Sequence, residues 1–332
     1  MPSGDAAGCG RPCRAPSGAI LSSVSPRVAG MTAIETGAAS PGGARVIGTL
    51  SPSRAGDFMT CPLLYRFRVI DRIPERPSPA AVRGTLVHAV LERLFDIPAA
   101  RRTPATALEL LGPEWDRLLA EEPELADLFD GEDGADVEAA RAEWLAEARA
   151  MVERYFVLED PRRLEPASRE LYVETVLDSG LQLRGYIDRL DVAPTGEVRV
   201  VDYKTGKAPR ADFEARALFQ MKFYALVLWR LRGTVPRLLQ LMYLGNGEVL
   251  RYSPDEADLR ATERKVDALW QAIRRAMDSG EWRPRKSRLC DWCDHQQRCP
   301  SFGGEPPPLP VVGGGPGMPA DEVAPRDPRD DV

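Results

Sequence analysis

The stretch Gly185–Gly206, GYIDRLDVAPTGEVRVVDYKTG, decides how this 332-residue chain is read. Its flanks, Leu181–Val192 and Val198–Tyr203, are rich in branched and aromatic residues, and the intervening APTGE carries turn formers, so two strands joined by a turn are predicted. That turn brings Asp188, on the first strand, near Asp202 on the second. Side chains alternate along a strand, so Asp202 and Lys204 share a face. Two carboxylates so placed can hold Mg2+ or Mn2+ by hard oxygen ligation with water positions open, which suits phosphodiester hydrolysis. Lys204 would orient the attacking water or stabilise charge. The plainer reading makes all three groups solvated surface charges. Against it, Asp202 follows Val198, Val200 and Val201, so its carboxylate emerges from a core element and needs partners.

Outward from this stretch, Leu171–Leu177, Leu238–Leu244 and Glu248–Tyr252 read as further strands, and 212–231 and 255–279 as helices. Upstream, Ser51-Pro52-Ser53 before an apolar-periodic run predicts a capped helix with Cys61 near its end. Residues 80–96 place Val82, Leu86, Val90, Leu91 and Leu94 on one helical stripe, with His88 and Glu92 a turn apart. The segment 105–157 reads as an inserted acidic helical region broken by a Gly/Asp-rich patch at 130–134. The expected fold class is α/β, a central mixed sheet flanked by helices, over residues 49–302. Residues 1–48 and 303–332, rich in Gly, Pro, Ala and Ser, are expected to be disordered. Cys9 and Cys13 are given no role, and Met31 is an alternative start.

An acid on one strand followed by acid-x-Lys on the next resembles the RecB-like branch of the PD-(D/E)XK nucleases, over about residues 50–302. The resemblance implies a restriction-endonuclease-like core and DNA as substrate. Arg83–Glu92, RGTLVHAVLE, is similar to that family's G-T-x-x-H helix and makes His88 a metal ligand beside Asp188 and Asp202. Without the resemblance, His88 reads as a core histidine on an apolar stripe. Gln220 and Tyr224, four apart in FQMKFYAL, match the family's Gln-x-x-x-Tyr helix and are placed at the active site or DNA backbone; on spacing alone they belong to a helix that packs Phe219, Phe223, Leu226 and Val227. One departure is Ile187, where the family often has proline before its first acid. Glu170 and Glu174 could add a carboxylate, and nothing in the sequence chooses between them.

Cys290-x2-Cys293-x5-Cys299 puts three thiols within ten residues, and Cys61 would be a fourth. Four thiolates suit a 4Fe-4S cluster or zinc, the latter also able to use His295. A lone upstream Cys-Pro with three clustered cysteines near the C-terminus resembles the iron-sulphur staple of AddB-type and CRISPR-associated RecB-like nucleases. Such a staple would close a very long loop and act on stability rather than redox chemistry. Trp282, Arg283, Arg285, Lys286, Arg288 and Trp292 interleave basic and aromatic groups, which can stack bases and pair phosphates or simply pack the cluster.

The net charge of -6 argues against a polyanionic partner until its distribution is read. Residues 109–147 carry -12, the tail from 304 carries -4 and the first 48 residues +2, which leaves +8 on the remainder with every motif. No run is long and apolar enough for a membrane span and no signal peptide is evident, so the expected location is cytoplasmic. The functional expectation is a metal-dependent DNA nuclease, an exonuclease of repair or recombination. The alternatives are a non-catalytic nucleic-acid-binding module and a subunit that depends on a helicase or recombination partner, since the chain has no P-loop of its own.

Overall fold

In the computed structural model, which describes residues 46–129, 137–209 and 214–310, the strands form one mixed sheet. They are β1 (Gly48–Leu50), β2 (Ser168–Val176), β3 (Leu181–Val192), β4 (Val198–Lys204), β5 (Leu238–Tyr243) and β6 (Glu248–Tyr252). β2 runs antiparallel along Gln182–Leu190 of β3. A strand has only two edges, so β1, parallel to Leu181–Leu183, and β4, antiparallel to Arg189–Val192, must share the other one. On that edge Arg184–Asp188 pairs with neither, and the sheet opens where the motif acids lie.

β4 and β5 are parallel, which requires a crossover, and helix α7 (Glu214–Arg232) provides it. β6 returns antiparallel beside β5. The alternation of β4 sorts its residues between two cores. Val198 and Val200 lie under α7 and α8 (Glu256–Ser279) with Leu239, Leu241, Phe223, Leu226, Val266 and Ile273. Val201 and Tyr203 face the other way, against Leu86 and Val90 of α3 (Pro79–Leu94) and Val152 and Tyr155 further on. Each such apolar side chain contributes roughly 1.5–3 kcal/mol on burial. Asp202 and Lys204 share the parity of Val200 and so turn toward α7.

The region predicted as an acidic helical insertion contains α4 (Pro104–Glu109), α5 (Leu111–Glu121), a 3-10 stretch at Pro123–Phe129 and α6 (Val137–Leu158). Trp115, Leu118, Trp144 and Tyr155 bury against α3, which leaves most of the acids outward, the buried Glu114 excepted. The Gly/Asp-rich patch at 130–134 lies outside the described residues, as do Cys9, Cys13, Met31, residues 1–45 and the tail beyond 310. At the upstream end, Ser51 accepts the Arg54 amide at 3.3 Å and caps α1 (Pro52–Thr60), Cys61 forms its C-cap, and α2 (Pro62–Tyr65) follows. Beyond Phe302 the chain stays against the body, with Arg66 donating to the Pro307 carbonyl and the Gly304 amide to Cys299 O. No helix among the described residues is long and apolar enough to cross a membrane.

β2 and β3 change phase together at one pair. Ile187 and Leu171 belong to the α7-side core, yet Arg189 reaches Tyr155 and Arg169 reaches Glu92 on the α3 side. Strict alternation would keep residues two apart on one face. The slip falls at Glu170 and Asp188, which the ladder skips, and Glu170 has φ +44, a left-handed value rare for a residue with a Cβ.

Candidate active site

Asp188 sits at that slip, buried, with its carboxylate turned to the gap between β3 and β4. Its Oδ2 accepts the Tyr203 amide at 2.6 Å, so a side chain takes over the backbone donor where the ladder stops. His88 comes from α3 and places Nδ1 3.5 Å from the same Oδ2. Its Nε2 lies 2.9 Å from the Tyr203 carbonyl. A carbonyl only accepts, so Nε2 carries a proton, and Nδ1 is the ring nitrogen turned toward Asp188. Glu170 completes a group in which one atom from each of His88, Glu170 and Asp188 lies within 4.8 Å of the others. Of the two glutamates that sequence left open, the fold brings Glu170 here, and its strained backbone is what aims it.

Asp202, on β4, lies one residue before the Tyr203 clamp. Its Oδ2 is 3.4 Å from Lys204 Nζ, and its Oδ1 accepts from Gln220 Nε2 at 3.2 Å. Gln220 also reaches the Tyr224 hydroxyl at 3.4 Å. The sequence-predicted residues thus form two adjacent groups: Asp188 and His88 with Glu170, and Asp202, Lys204, Gln220 and Tyr224 along α7. Tyr203 joins them through its backbone. Gly185 makes the second group possible, because a Cβ there would come 2.7 Å from the Tyr224 ring. Two carboxylates and an imidazole in the first group, with a third carboxylate alongside, are donors that a Mg2+ or Mn2+ ion accepts.

Comparison with known proteins matches residues 49–300 to the PD-(D/E)XK nuclease superfamily. The chain belongs to this superfamily. Among curated proteins, this PD-(D/E)XK chain is similar to the gene 69 protein of Mycobacterium phage D29, 26% identical over 284 residues that cover 76% of the chain and 96% of the phage protein. The gene 69 protein of Mycobacterium phage L5 is 29% identical over 126 residues, 37% of this chain and 41% of that protein. Among solved structures, a candidate exonuclease from Eubacterium rectale superposes with a TM-score of 0.46 at 14% identity, over 74% of this chain and 87% of that one.

The PD-(D/E)XK core carries a cavity lined by residues distant in sequence from the acids. Cys61, Cys290, Cys293 and Cys299 all line it, together with Leu63, Phe67 and Phe302, and all four thiols are free of disulfides. Two sulfurs accept backbone amides, Cys61 Sγ from Arg285 at 3.3 Å and Cys290 Sγ from Ser287 at 3.4 Å. Burial pushes the Cys293 thiol up, and the neighbouring Cys290 and Cys61 add to the shift. His295, between the clustered cysteines in sequence, does not line the cavity. Its Nε2 is 2.7 Å from Glu75 Oε1, and its ring lies against Phe67. Of the basic and aromatic residues nearby, Trp282 is buried in a stack on Tyr65, whereas Trp292 is 77% exposed.

Proposed function

We propose that the chain is a metal-dependent deoxyribonuclease that hydrolyses phosphodiester bonds, acting as an exonuclease in DNA repair or recombination. The convergence of His88, Glu170 and Asp188 from three separate elements carries this reading. Three ligand atoms converge here from α3, β2 and β3, and a divalent cation would offset the repulsion of the two carboxylates. A divalent ion held by His88, Glu170, Asp188 and Asp202 would polarise the phosphate and lower the pKa of an attacking water. Lys204, held beside Asp202, would orient that water or offset charge on the phosphate. Gln220 keeps the Asp202 carboxylate turned inward, and Tyr224 steadies Gln220.

The thiol cavity fits a metal group with thiolate ligands. Tetrahedral zinc with Zn–S bonds of about 2.3 Å would set sulfurs about 3.8 Å apart. A 4Fe-4S cluster would span a wider set of four thiolates, and it is the reading carried forward, with zinc as the alternative. His295, engaged with Glu75, leaves the four cysteines as the ligand set for either group. The cluster would fix the terminal segment on the nuclease core, with the cytoplasm as the expected location and a helicase or recombination protein as the partner to test.

The deciding experiment is cleavage of end-labelled single- and double-stranded DNA by anaerobically purified protein with Mg2+, Mn2+ or EDTA, beside Asp202→Ala. Metal-dependent cutting that Asp202→Ala lowers at least about 100-fold, with unchanged circular dichroism, is expected. Equal cutting by the variant would sink the assignment. No cutting without an added helicase partner would move the weight to a partner-dependent subunit.

A further inference from the structure

The site described above makes no use of the largest fully buried side chain among the described residues. Arg189 follows Asp188 on β3 and, because of the phase slip, points into the core under α6. Its Nη1 donates to the Tyr203 hydroxyl at 2.6 Å and reaches the Tyr155 hydroxyl at 3.4 Å. Its Nη2 lies 2.7 Å from Glu159 and its Nε 3.1 Å from Asp191. Arg199 of β4 closes the set, 3.0 Å from Glu159 and 2.8 Å from Asp191. Two cations and two anions balance. Burying such a set is nonetheless a weak source of stability, since well-packed apolar residues of the same volume would serve as well or better.

What the network does hold is Tyr203. The Tyr203 ring stands edge-on to both His88 and Tyr155, with centroids 5.8 and 5.9 Å apart, and its hydroxyl is fixed by Arg189. The backbone of this one residue donates to Asp188 and accepts from His88. Burial keeps the phenol neutral, far above its ordinary titration range.

We propose that Arg189 is a positioning residue for the metal site. Through the Tyr203 hydroxyl it fixes the one peptide segment that orients both Asp188 and His88, and through Tyr155 and Glu159 it ties that segment to α6. The helical insertion is on this account part of the active site's support rather than an appendage. The proposal rests on the reading of His88 and Asp188 as metal ligands.

The test is Mn2+ binding by titration calorimetry without DNA, on wild type, Tyr203→Phe, Arg189→Lys and, as a blank, Asp188→Asn. Tyr203→Phe removes only the hydroxyl, so it keeps the apolar packing even if Arg189→Lys folds poorly. Outer partners of metal ligands typically set 10–100-fold in affinity, so Tyr203→Phe should weaken Mn2+ about 10-fold with an unchanged circular dichroism spectrum. Wild-type affinity in Tyr203→Phe would overturn the proposal whatever the variant's melting temperature, because a purely structural role moves stability and leaves the affinity of the folded protein alone. Absence of Mn2+ binding in the wild type would overturn the metal-site reading and this proposal with it.

Discussion

Glu170→Gln should make the metal-free protein more stable and the metal-loaded protein less responsive. The Glu170 and Asp188 oxygens lie within 4.8 Å of each other. Two unit charges at that distance repel by about 3.5 kcal/mol at an effective dielectric of about 20. Glu170 is half-buried, and solvent screening reduces the repulsion to about 1–2 kcal/mol. Glutamine removes the charge and keeps the shape. It also inherits the same left-handed backbone, so strain cancels in the comparison. For a domain this size each kcal/mol shifts the melting temperature by about 2–4 °C, so the variant in EDTA should melt about 2–8 °C above wild type at low salt.

With Mn2+ the order should narrow or reverse. A ligand at 100 times its Kd stabilises the native state by about 2.7 kcal/mol, and the variant forfeits most of that with one ligand gone. The assay is thermal unfolding followed by tryptophan fluorescence, in EDTA and in a Mn2+ series, with DNA cleavage measured on the same samples. A variant that melts lower in EDTA and keeps the full metal-induced rise would refute the placement of Glu170 in the metal group.

Two further outcomes follow from the cysteine-lined cavity and its surroundings. Cys293→Ala should abolish the brown absorbance and lower stability by about 2–5 kcal/mol, by analogy with any crosslink that closes so long a loop, and an iron-free wild type unaffected by the change would count against a cluster. Burial alone would raise the Glu75 carboxyl, but hydrogen bonds from His295 and Arg68 outweigh it and bring the group from 4.5 down to about 2. A depressed carboxyl stabilises above its unfolded value and loses that contribution as pH falls through its folded one. Glu75→Gln should therefore cost about 1–3 kcal/mol at pH 7, with the difference from wild type shrinking between about pH 4.5 and 2. Urea unfolding at both ends of that window checks it, and an equal difference at both would refute it.

The two strands around APTGE are legible because branched residues and a turn former leave few alternatives, and the observed β3 and β4 end within a residue of their predicted limits. Helix α8 is legible as an apolar stripe of helical period, whereas α3 and α7 are legible as long apolar runs buried on nearly all sides. β1, three residues long, leaves no periodic signal and is defined only by its partner Leu181–Leu183. The binding of His295 by Glu75 is equally silent in sequence, since it joins residues 220 positions apart.

The phase slip at Glu170 and Asp188 explains why the site itself was only partly legible. Strict alternation puts Glu170 and Glu174 on one face and gives no reason to prefer either. It also puts Ile187 and Arg189 together, which would bury a guanidinium among the aliphatic side chains under α7. The fold avoids that by turning both strands over at one pair, at the cost of a glutamate in a conformation its Cβ disfavours. Glutamate is not a residue whose presence signals positive φ, so local propensity cannot reveal the turn. The same turn aims Glu170 at His88 and Asp188, and drops Arg189 behind Tyr203. In Asp202-Tyr203-Lys204 the outer two residues face α7 and the middle one faces α3. A motif written acid-x-Lys thus treats as arbitrary the residue whose backbone links both halves of the site.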